Sequence, residues 1–100
     1  MQKAVLSIGL NDKDLHKQVI TDENAHKEIV KAMAKVGIIG GTIKSGNIGI
    51  YNGELEKSCE VILYDTSKEK VLELCEELKS RLNQESIAVE FCENANIMFA

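Results

Sequence analysis

From Lys3 to Leu10 the chain alternates, with Ala4, Leu6, Ile8 and Leu10 on one side and Val5, Ser7 and Gly9 on the other. A period of two is that of a strand with one buried face. Four polar residues follow, Asn11-Asp12-Lys13-Asp14, and their turn formers predict a loop. Leu15 to Ile20 reads either as a short extra strand or as an extended arm. The period then lengthens. Ala25, Ile29, Met33 and Val36 recur every three to four residues, with Ala32 beside them. Thr21 supplies a cap, Asp22 and Glu23 favour the positive end of the helix dipole, and Gly37 suits a left-handed stop.

Alternation returns after Gly40. Ile43 to Tyr51 and Glu54 to Tyr64 flank Asn52-Gly53, a pair that tolerates positive φ and predicts a tight hairpin. Thr66-Ser67-Lys68-Glu69 reads as a capping box in which Thr66 and Glu69 satisfy each other's backbone donors. The helix it opens buries Val71, Leu74 or Cys75, Leu78 and Leu82, carries a Glu77–Arg81 pair at i,i+4, and ends at Asn83. Ile87, Val89 and Phe91 alternate with Ala88, Glu90 and Cys92 in a last strand.

Strand, helix, strand, strand, helix, strand is the split βαββαβ unit, so the expected fold is ferredoxin-like α+β. It predicts a four-stranded antiparallel sheet with both helices on one face. A chain of 100 residues makes one domain, residues 1–100, and buries roughly 65% of its unfolded surface. The uncovered sheet face would carry Val5, Ser7, Ile62, Tyr64, Ala88 and Cys92 among Glu60 and Glu90. Half of that surface is apolar, which predicts self-association as a homodimer or a larger ring.

Composition narrows the function classes. The net charge of −4 disfavours nucleic acid as a partner, because a phosphate backbone demands a basic face. No stretch fits a signal-peptide core or a membrane span, so a cytoplasmic protein is expected. Cys59, Cys75 and Cys92 are odd in number and match no zinc spacing, which predicts free thiols in a reducing compartment.

No residues carry a recognisable catalytic pattern. Gly41 and Gly46 have the spacing of a phosphate loop, but Asn47-Ile48 stands where Lys and Ser/Thr are required. The glycine run reads instead as a helix cap and a bulged or sharply bent strand. His16 and His26 fit no zinc spacing and are expected on the surface. No cofactor or metal motif is present, and paired carboxylates cannot be placed. The one local cluster of interest is Arg81, the only arginine, close to Asn83 and Gln84. A guanidinium suits a phosphate, and the amides suit a base edge or ribose hydroxyl. The same residues equally make an ordinary polar helix end.

Ser7-Ile8-Gly9-Leu10-Asn11-Asp12-Lys13-Asp14, Gly41-Thr42-Ile43 before Gly49-x-Tyr51, and Leu82-Asn83-Gln84-Glu85-Ser86-Ile87 resemble a family of small phage proteins. These are the Thoeris anti-defence sponges, and the resemblance covers nearly the whole length. It implies a non-catalytic protein that sequesters a cyclic ADP-ribose-type signal at a subunit interface, with some members hexameric and some also taking up cyclic oligonucleotides. In this chain the anion would meet Arg81 with Lys13 or Lys44, and adenine would meet one of the four aromatic rings, Tyr51, Tyr64, Phe91 or Phe99. The ligand-binding set is then Arg81, Asn83, Gln84, Thr42, Tyr51 and Lys13, with the phage's host cytoplasm as the setting. A small-molecule-sensing regulatory module of the same fold is the alternative, and a small enzyme is a third.

Overall fold

The N-terminal alternation forms β1 (Lys3–Gly9), followed by α1 (Asp22–Val36), β2 (Thr42–Tyr51), β3 (Glu54–Tyr64), α2 (Lys68–Leu82) and β4 (Ala88–Cys92). This is a computed structural model that describes residues 1–100. The sheet order is β2-β3-β1-β4, and every neighbouring pair is antiparallel. The fold is ferredoxin-like α+β, as the alternation and helical periods predict.

The core lies between the sheet and the two helices. Leu6 and Ile8 of β1, Val61 and Leu63 of β3, Ile29 of α1 and Leu74 and Leu78 of α2 are sealed from solvent. Each such side chain contributes about 1.5–3 kcal/mol relative to an exposed one. The alternation of β1 is read out directly, since Ala4, Leu6 and Ile8 are buried while Ser7 is exposed. On the uncovered face Ser7, Ala88, Glu90 and Cys92 are exposed, Val5 and Tyr64 are half-buried, and Ile62 is buried.

Local signals act as the side chains require. The Thr21 hydroxyl accepts the Asn24 N–H, and Gly37 closes α1 at φ 83°. The cap of α2 falls one residue later than the capping-box reading. Ser67, not Thr66, accepts the Lys70 N–H, while the Thr66 hydroxyl donates back to the Tyr64 carbonyl. Asn52 and Gly53 both take positive φ, 51° and 77°, in the two-residue turn joining β2 to β3. A register shift between Lys44 and Asn47 contains Gly46 at φ 85°, the bulge expected of the glycine run. Residues 15–20 are neither a strand nor an arm. They close a small loop through an isolated Asn11–Gln18 bridge, with the Asp12 N–H donating to the Lys17 carbonyl. The β2–β3 hairpin is long, and the molecule is correspondingly elongated, 40 × 26 × 23 Å. No helix is long and apolar enough to cross a membrane.

Candidate functional site

The β2–β3 hairpin is two-faced. Its register pairs Tyr51 with Glu54, Gly49 with Glu56 and Asn47 with Ser58. Directly paired residues share a face, so Gly49, Tyr51, Glu54, Glu56 and Ser58 point one way while Ile48, Ile50, Leu55 and Lys57 point the other. The polar face looks across at two other segments: the β1–α1 loop and the turn from α2 into β4. Together they enclose a cleft of about 350 Å³, lined by Asn11, Asp12, Lys13 and His16 from the loop and by Gln84, Glu85 and Ser86 from the turn.

Four carboxylates border this cleft, those of Asp12, Glu54, Glu56 and Glu85, against one lysine, Lys13. The Tyr51 hydroxyl donates across the opening to Glu85 Oε2 at 3.4 Å. Glu56 is held differently. Its Oε2 accepts the Asn11 N–H at 3.1 Å, and its carboxyl group lies against the α-carbon of Gly9. A Cβ at position 9 would run into that carboxyl group, so glycine there is what admits the Glu56 side chain. Asp12 accepts from the Asp14 and Leu15 N–H groups and from the Asn83 amide. The Asn83 hydrogen bond, helped by the two backbone donors, holds the Asp12 carboxyl below its ordinary value of 3.8.

Gln84 is the one buried polar residue of the chain. Its Nε2 donates to the Asn11 carbonyl at 2.6 Å, which directs the side chain into the junction of loop and turn. Asn83 caps α2 at φ 49°, and its amide reaches both Asp12 and Asp14. Lys13 is exposed on the rim.

Of the residues singled out in the sequence, Tyr51, Gln84 and Lys13 meet in the cleft, and Asn83 stands behind its wall. Arg81 and Thr42 do not reach it. Arg81 is spent between the helices, with Nε on Glu77 at 2.9 Å and a terminal nitrogen on Glu28 at 3.3 Å. Lys35 completes that network at 3.2 Å from Glu77. The guanidinium and Lys35 hold the Glu77 carboxyl below its ordinary value of 4.5. Thr42 opens β2 beside Ile62, four β3 residues or roughly 13 Å from the nearest cleft residue on that strand, Ser58, at strand rise. Glu54, Glu56 and Glu85 escaped the sequence reading, although the Asn52-Gly53 turn sets a register from which the face shared by Tyr51, Glu54 and Glu56 follows.

Other sequence readings are also settled by position. His16 is exposed beside the cleft, at φ 56°. His26 is not a solvated surface side chain, because its Nε2 is enclosed without a partner. Cys59 and Cys75 are buried and Cys92 is exposed. Desolvation, with the Asp22 charge adding to it, pushes the Cys59 thiol up to about 11.

No family model matches the chain, and no curated protein does. Solved structures do. A phage SAM lyase in complex with S-methyl-5'-thioadenosine is 30% identical, with a TM-score of 0.73, over 92% of this chain and 80% of that one. The same kind of enzyme in its apo state is 31% identical, with a TM-score of 0.74, over 92% and 79%. The divalent ion tolerance protein CutA1 from Ehrlichia chaffeensis is 13% identical, with a TM-score of 0.55, over 96% and 84%, a likeness of fold alone.

Proposed function

This chain belongs to the family of the phage SAM lyase, and from that premise we propose that its cleft binds an adenosyl sulfonium compound and cleaves it. The observation that carries the reading is the charge of the cleft. Asp12, Glu54, Glu56 and Glu85 face a single lysine, which suits a cation such as a sulfonium carrying an ammonium group. The cyclic ADP-ribose-type ligand implied by the sponge resemblance carries a diphosphate, which that arrangement repels. The reading keeps the phage setting and the adenine-bearing ligand, and it exchanges an anion for a cation.

The chemistry follows from the ligand's own charge. When the bond from the amino-acid chain to sulfur breaks, its electron pair stays on sulfur and a neutral thioether leaves. A lyase adds no water, so the carbon's deficit is met by closure of the substrate's own carboxylate, which needs no base, or by loss of a neighbouring proton to solvent. Carboxylates near the sulfonium stabilise the substrate more than a transition state in which the positive charge is already fading. Glu54, Glu56 and Glu85 therefore serve affinity. The rate comes from holding the chain folded in a reactive geometry between the hairpin, the loop and the turn. Loss of charge at sulfur also weakens the hold on the product and favours its release. Tyr51 orients Glu85 and offers an aromatic face, and Gln84 keeps an amide oxygen for a ligand donor.

Self-association belongs to the same proposal. Beside the uncovered sheet face expected to self-associate, Ile48, Ile50 and Leu55 form a second exposed apolar surface on the back of the hairpin, and we place the contact with a second copy of this chain there. The direct test is incubation with S-adenosylmethionine, with chromatography for S-methyl-5'-thioadenosine. Accumulation of that thioether supports the reading. Substrate that is retained by the protein and recovered intact after heating returns the function to sequestration. Substrate that stays free overturns the ligand class.

A further inference from the structure

The geometry points to Asn83 as a positioning residue that sets the affinity of the cleft without touching its ligand, a role that rests on the adenosyl sulfonium reading above. Both hydrogens of its amide are spent, one on Asp12 Oδ2 and one on Asp14 Oδ2, each at 2.9 Å. Its backbone carbonyl accepts the Lys13 N–H at 3.0 Å. The next residue, Gln84, donates to the Asn11 carbonyl. Four consecutive loop residues, Asn11 to Asp14, are thus clipped to two consecutive residues at the end of α2.

Beyond the start of the loop, where the Leu10 and Asn11 N–H groups donate to Lys57 and Glu56 of β3, little else holds this wall of the cleft. Lys13, Asp14, Leu15, His16 and Lys17 are all exposed, so the loop has scant apolar burial to fix it. Inside the loop, the Asn11–Gln18 bridge and the Asp12 turn bonds shape it without tying it to α2. Asp12 and Asp14 repel each other, and a neutral group with two donors is what lets them converge on one point. Asparagine also tolerates the left-handed backbone at φ 49° that aims the amide at the loop. The ligand then binds between a wall carried by α2 and a wall carried by the clipped loop. A loop released from the clip has to order on each binding event, and affinity falls while the reacting geometry of the bound state is preserved.

Two variants separate this role from a merely structural one. Asn83→Gly keeps the left-handed cap and deletes the amide, whereas Asn83→Asp keeps the size and sets a third carboxylate against Asp12 and Asp14. For both, hydrogen exchange at the Lys13 and His16 amides is measured alongside calorimetric binding of S-methyl-5'-thioadenosine and turnover of S-adenosylmethionine. The expected result is faster exchange at both amides, with Kd and KM raised about tenfold by the ordering cost. Turnover number stays within about twofold, because the lost interaction is uniform between ground and transition states. Wild-type exchange and Kd in Asn83→Gly would overturn the inference. So would a loss of kcat and melting temperature together with KM, which marks a structural residue. A wild-type protein that binds no thioether and consumes no sulfonium overturns the ligand reading alone, and the exchange rates then decide the clip by themselves.

Discussion

Two regions of this molecule are built from similar alternating sequence and differ in what they bury. In β1 the alternation places Leu6 and Ile8 at zero exposure under the helices. In the β2–β3 hairpin the same period leaves Ile48, Ile50 and Leu55 more than half exposed and Tyr51 about half exposed. One region has helices laid over it and holds the fold. The other projects past them and offers a polar face to the cleft and an apolar face to its surroundings. Stability and the proposed ligand contact are therefore assigned to different parts of one sheet, which leaves the hairpin free to vary in ways the core does not tolerate.

The largest effect that sharpens this contrast is truncation of the core. Leu74→Ala is expected to cost about 3 kcal/mol in denaturant unfolding, because the site is fully enclosed and leaves a cavity. Ile50→Ala is expected to stay within about 0.5 kcal/mol in the same measurement on the monomer. Equal losses in the two variants would break the comparison. A smaller effect concerns the ligand. Glu85→Gln removes one negative charge and leaves the Tyr51 hydroxyl an acceptor. Affinity for a cationic ligand is expected to fall about tenfold in calorimetry, the scale of one charge-assisted contact, with no change in melting temperature.

Gly9→Ala probes the joint between the two regions. The added methyl meets first the end of the flexible Glu56 side chain, which can give way. Stability is expected to change by less than about 1 kcal/mol, while ligand affinity drops several-fold as Glu56 leaves the Asn11 N–H. A large loss of stability there would place Gly9 in the structural half. The smallest effect is in pH. Asp12 and Glu77 both have folded values below their ordinary 3.8 and 4.5, so the stability they contribute is present above those values. It is lost as pH falls below them. Unfolding measured from pH 6 downward is expected to be flat until about pH 4.5 and to weaken below it, Glu77 first. Asn83→Gly is expected to reduce the Asp12 part, whose Asp14 and Leu15 backbone donors remain, and to leave the Glu77 part unchanged.

The fold was legible because its signals are local and agree with one another. The Asn52-Gly53 turn, the Thr21 cap and the Gly37 stop each act on residues a few positions away. The β1 alternation has one face that only a core satisfies. Where two neighbouring residues offer the same chemistry, as Thr66 and Ser67 do, the cap moved by one position, since either hydroxyl can serve. The candidate site was legible only in part because it is assembled across long separations. Asn11 meets Gln84 and Asn83 meets Asp12 over seventy residues of chain, and no spacing rule relates them. Arg81 drew attention as the sole arginine, yet a guanidinium on a helix surface is satisfied by the nearest acids, Glu77 and Glu28. The carboxylates of the cleft were the opposite case. Sixteen acids scattered along the sequence look like solvated surface until the hairpin register, the loop and the turn after α2 bring four of them to one opening.

Under the proposed function this opening selects positive charge on an adenosyl ligand. Titration calorimetry with two unreactive analogues tests it directly: sinefungin, which carries an ammonium where the sulfonium stands, and S-adenosylhomocysteine, its neutral thioether counterpart. Sinefungin is expected to bind at least about tenfold more tightly, with the difference shrinking as salt is raised. Equal binding of the two, or tighter binding of a cyclic ADP-ribose-type diphosphate, would mean that the cleft does not select a cation.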